Sequence, residues 1–189
     1  MDTARNNLEN IEVNFETVRP TKQRFDGESG LRDLIYNELK SVYYLEKTLS
    51  KVFPKLIKNS CSFELIEAIT IHQEETKLQI IRVEDVFSLL GEDPILERCL
   101  TIESMLENIE TNIDDTKFGT VRDAGIVLGL QRIEYFEIAT YATLATYAEN
   151  LNELKVAELL SETINEEKVA QLRFAKIANT IRYYSAHNL

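Results

Sequence analysis

The sequence predicts an all-α, antiparallel four-helix bundle with one long crossover that carries a short extra helix. Three observations predict it. Apolar residues recur with a helical period from Leu31 nearly to the C-terminus. Only 6 Gly and 3 Pro occur in 189 residues, too few breakers for many short strands joined by tight turns. The breaks between periodic stretches run short, long, short, which makes two helical hairpins joined by one long connection.

Residues 1–30 read as an N-terminal tail, polar, with Pro20 and the run Asp26-Gly27-Glu28-Ser29-Gly30. Ile11, Val13 and Phe15 alternate, as in a short extended piece that docks on a partner or on the bundle; a loosely held arm is the simpler reading. The bundle is expected over residues 31–184, with 185–189 as the C-terminal end. The first long helix should run over 31–58, with Ile35, Val42, Leu45, Leu49 and Leu56 in one seam and Leu39, Tyr43 and Phe53 beside it. Pro54 should kink its last turn. Ser62 is a candidate N-cap for a second helix over 63–90, which Gly91-Glu92-Asp93-Pro94 should stop. Residues 95–119 form the connection, with Ile102, Met105, Leu106, Ile109 and Ile113 marking its short helix. The third and fourth long helices should span 120–148 and 152–182, with a tight turn at Glu149-Asn150-Leu151-Asn152. Two hairpins and one end-to-end crossover make the ferritin-like arrangement.

Charge excludes several functions. Lys plus Arg is 21 against 32 Asp plus Glu, a net charge of −11 that repels phosphate backbones and anionic membranes, so neither nucleic acid nor a membrane is expected as a partner. No run of about 18 apolar residues is available to span a bilayer. Two cysteines, Cys61 and Cys99, are too few for a disulfide framework and fit a reducing cytoplasm. There is no P-loop, no dinucleotide fingerprint and no C-x-x-C, and with only His72 and His187 a Ser-His-Asp triad has little material.

Acids seldom point into a core unless they are paired or bind a metal. Glu46 falls in the seam of Leu39, Tyr43 and Phe53, and Glu75 in that of Ala68, Ile71 and Leu78. Glu134 interrupts Val127, Ile138 and Tyr141, and Glu167 interrupts Leu160, Thr163, Ala170 and Phe174. Each long helix thus carries one inward Glu. Glu46 and Glu75 are equidistant from the centre of the first tight loop, and Glu134 and Glu167 from that of the second, which puts each pair at one height. Four carboxylates at one level are the makings of a dinuclear metal site. Lys and Arg are scarce on these faces, which leaves metal or shared protons to neutralise the group. His72, one turn before Glu75, and Glu137, one turn after Glu134, join the candidate ligand set. Glu166 reads as paired or at the surface, and Glu38 as structural. Tyr43 and Tyr141 lie near enough to donate hydrogen bonds or electrons, with packing as their simpler role.

The segments Asn37-Glu38-Leu39-Lys40-Ser41-Val42-Tyr43-Tyr44-Leu45-Glu46-Lys47, His72-Gln73-Glu74-Glu75-Thr76, Leu89-Leu90-Gly91-Glu92, Ile133-Glu134-Tyr135-Phe136-Glu137-Ile138-Ala139 and Asn165-Glu166-Glu167-Lys168 resemble the YciE/YciF-like branch of the ferritin-like superfamily, a group of bacterial stress-associated proteins. The resemblance covers residues 31–180 and implies a helical bundle, a dimer and a dinuclear metal centre. The Glu-x-x-His of better-known ferritins is not matched, since Leu78 and Ala170 stand three residues after Glu75 and Glu167. A site rich in oxygen and poor in imidazole admits manganese or zinc as well as iron, the metal expected first. Two functions follow. One is a metal-binding stress protein whose iron pair reacts with oxygen or peroxide. The other is a non-enzymatic bundle serving as a structural or interaction module. A homodimer is expected on either reading, because Ile66, Ile80, Phe87 and Leu144 exceed what one bundle core needs.

Overall fold

A computed structural model describes residues 27–187, with side chains through Ile181. The reading of residues 1–26 as tail, with Ile11, Val13 and Phe15, and that of residues 188–189 lie outside the described residues, whereas residues 27–30, read as the end of the tail, and 185–187 are helical. Five helices follow one another: α1 (Gly27–Asn59), α2 (Phe63–Leu90), α3 (Leu100–Asp115), α4 (Thr120–Asn150) and α5 (Leu154–His187). No strand occurs among the described residues. The long helices pair α1 with α2 and α4 with α5, the hairpins meet along α2–α5 and α1–α4, and α3 lies on α4 within the crossover.

The boundaries have local causes. α1 begins at Gly27, four residues before the expected start, and runs through Pro54 to Asn59. Ser62 caps α2 as its hydroxyl accepts from Leu65 N at 3.3 Å. Gly91 ends α2 in the left-handed region at φ 74°, where a side chain would be strained. Asn152 takes φ 58° in the turn between α4 and α5, a conformation Asn tolerates better than most residues.

Both ends of the bundle are tied. At one, the Asp123 carboxylate accepts from the amides of Cys61 and Ser62, at 2.7 and 2.8 Å, and so holds the α1–α2 loop against the start of α4. At the other, Arg32 donates to Glu153 at 2.5 Å and to the Leu90 carbonyl at 2.7 Å, joining three elements. Tyr44 to Glu103, Lys55 to Glu110 and Lys40 to Glu97 hold the crossover against α1.

The core has two apolar bodies. The first gathers Leu49, Phe53, Ile69, Ile109, Leu130 and Phe174, among others, from all five helices. The second gathers Leu39, Val83, Phe87, Tyr141, Leu144 and Leu160 from the four long helices. Ile80, Phe87 and Leu144, expected to be surplus, are buried in this single-chain core, and Ile66 is half-buried. The large exposed apolar residues include Ile71, Leu78 and Ile81 on α2 and Val169 and Leu172 on α5. The seam of α2 expected to carry Glu75 therefore differs from expectation. Ile71 and Leu78, the expected neighbours of Glu75 in the core, are 40% and 58% exposed. The buried stripe of α2 lies about one residue's rotation away, through Ala68, Ile69, His72, Thr76, Gln79 and Val83.

Candidate metal centre

Between the two apolar bodies lies a buried polar layer of Glu46 from α1, His72, Thr76 and Gln79 from α2, Glu134 and Glu137 from α4, and Thr163 and Glu167 from α5. The helical period places them. His72, Thr76 and Gln79 are successive turns of one α2 stripe, and Glu134 and Glu137 are adjacent turns of α4. One donor atom from each of His72, Glu134, Glu137 and Glu167 lies within 4.8 Å of the others, all four residues being buried. A transition metal bound at about 2.0–2.2 Å from its donors draws such atoms slightly closer together. This His/Glu group can hold a metal ion.

Most of its polar atoms lack hydrogen bonds among the described residues. Both oxygens of Glu134 and Glu137, one each of Glu46 and Glu167, and both ring nitrogens of His72 are buried without a hydrogen-bond partner. His72 Nε2 lies 3.0 Å from Glu134 Oε1 and Nδ1 lies 3.4 Å from Glu75 Oε2, but neither contact has hydrogen-bond alignment. Phe53 and Phe174 meet the imidazole edge to face at ring distances of 5.2 and 5.9 Å, which confines its orientation.

The remaining candidates are engaged differently. Glu46 is fully buried in the layer and accepts from the Tyr141 hydroxyl at 2.5 Å. Tyr141 is thus the tyrosine that serves the group, whereas Tyr43 donates to Glu84 on the outer side of the bundle. Glu75 is half-buried and accepts two bonds from Arg173, at 3.0 and 3.1 Å. The expected scarcity of cations on these faces fails there: Arg173, 98 positions along the chain, neutralises Glu75. Glu75 touches the group through His72. Glu166 is paired with Arg82, and Glu38 lies at the rim of a groove between α1 and α4.

Electrostatics follow from burial and crowding. Burial pushes the Glu46 carboxyl up to about 7 despite the Tyr141 bond and the His72 charge. Burial, then the charges of Glu167, Glu46 and Glu134, hold Glu137 well above the carboxylate range. Glu167 is raised chiefly by burial and by Glu134 and Glu46, against the pull of His72. For His72, burial works downward, but the charge of Glu134 and its contacts with Glu134 and Glu75 hold the imidazole well above its ordinary value. Glu75 behaves oppositely: burial raises it, yet His72 and Arg173 outweigh this and bring it down to about 2.

Thr76 and Gln79 complete the layer without a sequence signal of their own chemistry, whereas Thr163 lies in the inward seam expected for Glu167. Gln79 Nε2 donates to Glu167 Oε1 at 2.5 Å and to Glu166 Oε2 at 3.1 Å. The available signal was periodic, since Thr76 and Gln79 follow His72 at four and seven residues.

The sequence matches the family model described as "Domain of unknown function (DUF892)" over residues 30–185. The chain belongs to this family. It is 34% identical to Protein YciF of Escherichia coli (strain K12) over 149 residues, covering 78% of this chain and 90% of that one. The crystal structure of that stress protein superposes with a TM-score of 0.78 at 32% identity, over 81% of this chain and 97% of the other. YcfI of Rhodopseudomonas palustris gives 0.75, also at 32% identity, over 82% and 96%. A Xanthomonas campestris protein of 21% identity shares the fold, with a TM-score of 0.63 over 84% of this chain and 99% of that one. The chain thus has stress-protein relatives of the YciF type. Among the described residues no helix is long and apolar enough to cross a membrane.

Proposed function

We propose that this DUF892 chain is a metal-binding stress protein of the cytoplasm. His72, Glu134, Glu137 and Glu167 would hold a divalent ion, and Glu46, buried in the same layer, would be the further carboxylate available to a second. Iron is the metal favoured by this reading, with manganese and zinc as competitors that the oxygen-rich donor set also suits. The carrying observation is the set of orphaned acceptors: both oxygens of Glu134 and Glu137 sit in the core with no hydrogen bond. Leaving a buried polar group unsatisfied costs about 1–3 kcal/mol, more if it is charged, and a dication satisfies several at once. Bound iron would supply one-electron chemistry toward oxygen or peroxide. The chain's own residues orient the imidazole between two phenylalanines, hold Glu46 by the Tyr141 hydroxyl and exclude bulk water.

One observation favours a second reading. Glu46, Glu137 and Glu167 are all raised, so shared protons can also neutralise the layer and leave a purely structural bundle. Elemental analysis after anaerobic loading with iron(II) separates the two. Two ions per chain support the dinuclear centre, one ion restricts it to a mononuclear site, and none leaves the structural module.

We also propose a homodimer, resting on the exposed Ile71, Leu78 and Ile81 of α2 and Val169 and Leu172 of α5. Light scattering at tens of micromolar, a concentration of order-of-magnitude choice for ordinary affinities, should give twice the chain mass. A chain-mass value removes the dimer.

A further inference from the structure

We infer that cations reach the buried group through the seam between α2 and α5, with Glu166 as the carboxylate of passage and Arg82 as the resident cation that keeps the seam closed. The inference rests on the metal-binding reading above.

The seam carries a graded series of acids on one helix. The side chain of Glu162 is 51% exposed, that of Glu166 29%, and Glu167 is fully buried within the group. Gln79 joins the last two, since its amide nitrogen donates to both Glu166 and Glu167. Inside this bridge, Gln79 Oε1 and Glu167 Oε2 are buried acceptors without a hydrogen-bond partner among the described residues. A cation passing from Glu166 to Glu167 therefore meets oxygen at each step and never has to shed its water against apolar surface.

Arg82 occupies that route. Its guanidinium donates to Thr163 Oγ1 and to both oxygens of Glu166, each at 2.8 Å, and its Nε lies 3.3 Å from Glu162. The two parallel bonds to Glu166 fix it in place. A fixed positive charge cancels the attraction of these acids and repels an arriving dication, so the seam opens only when the guanidinium swings away. The rival route is the groove of about 360 Å³ between α1 and α4, where Glu38 stands among Leu34, Phe136, Leu144 and Tyr147. Its apolar lining offers a hydrated ion little.

The test is stopped-flow uptake of cobalt(II), followed by its ligand-field absorption, in the unsubstituted chain and in Arg82→Ala and Phe136→Ala. Arg82→Ala should bind about tenfold faster or more, the gain expected from losing a charge-assisted bidentate pair on the path, at unchanged stoichiometry. Phe136→Ala, which widens the rival groove, should bind at the unsubstituted rate. Should Arg82→Ala unfold, Arg82→Lys, which keeps the charge but loses the fork, should still bind faster. An Arg82 variant that binds at the unsubstituted rate overturns the route, as does equal acceleration by Phe136→Ala. Failure of the unsubstituted chain to bind any cobalt(II) removes the metal reading itself; binding at unchanged variant rates removes only the entrance.

Discussion

The Tyr141 hydroxyl of α4 donates across the core to Glu46 of α1 at 2.5 Å, and both residues are fully buried. This bond is the one hydrogen bond that Glu46 accepts among the described residues, because its second oxygen is unpaired. Tyr141→Phe keeps the ring and removes the donor. The metal-free variant should lose about 1–3 kcal/mol of stability, the cost of stranding a buried acceptor, with the helical fold retained. A urea melt followed by circular dichroism checks this, and an unchanged midpoint would show the bond to be dispensable.

Stability of the metal-free protein should fall as pH rises from about 5 to 8. Glu46 ionises near 4.5 in the unfolded chain and at about 7 in the folded one, so across that window the folded state holds a proton that unfolding releases. Raising the pH then favours unfolding. His72 acts in the same direction: its folded value is raised, and the stability it contributes below its unfolded value disappears as pH rises through the folded one. The Glu46 shift alone is worth on the order of a few kcal/mol. Glu75, held at about 2, opposes them only in acid, where its contribution is lost as pH falls from 4.5 toward 2. Thermal melts at pH 5.5 and 8 should show the higher midpoint at 5.5; the reverse order would be inconsistent with a carboxylate-rich core held by protons.

Glu134 and Glu75 should differ in their effect on metal. Glu134 has both oxygens free in the layer, whereas Glu75 has both committed to Arg173 and touches the group only through His72 Nδ1. Glu134→Gln should abolish binding. Glu75→Gln should weaken it about 10–100-fold, as removal of a group that orients a liganding imidazole does. Calorimetric titration with manganese(II) measures both, and equal losses would mean that Glu75 is itself a ligand.

The crossover should depend on a glycine. A Cβ at Gly129 of α4 would lie 2.1 Å from Ile109 Cγ1 of α3, a stiff branched side chain inside the core. Gly129→Ala gains about 1 kcal/mol of helix propensity but overpacks the contact by about 1–3 kcal/mol or more. It should lower the melting temperature. At Gly125 the new Cβ would meet Asn112 Cβ at 3.0 Å, a milder overlap on a half-buried side chain, so Gly125→Ala should cost less than Gly129→Ala. A melt in which Gly125→Ala is the more damaging of the two would contradict this packing.

The sequence by itself determined the helices, their order and the single long crossover, because 3.6-residue periodicity, Ser62 and Gly91 act locally. It also placed Glu46, Glu134 and Glu167 inward, since each interrupts an apolar seam that is buried in the bundle, and put Glu137 beside them, one turn after Glu134. The same argument applied to Glu75 did not hold, because its neighbours Ile71 and Leu78 are exposed. Tertiary structure decided what α2 contributes. That helix is apolar on several sides, with Ile71, Leu78 and Ile81 outside and Ile69, Ile80 and Val83 inside, so periodicity alone left two adjacent faces nearly equivalent. Packing against α1 and α5 chose the face of His72, Thr76 and Gln79 and turned Glu75 toward Arg173. Pairings such as Glu75 with Arg173 and Glu166 with Arg82 join residues more than eighty positions apart. They depend on the register of α2 against α5, which long-range side-chain packing sets and no local pattern encodes.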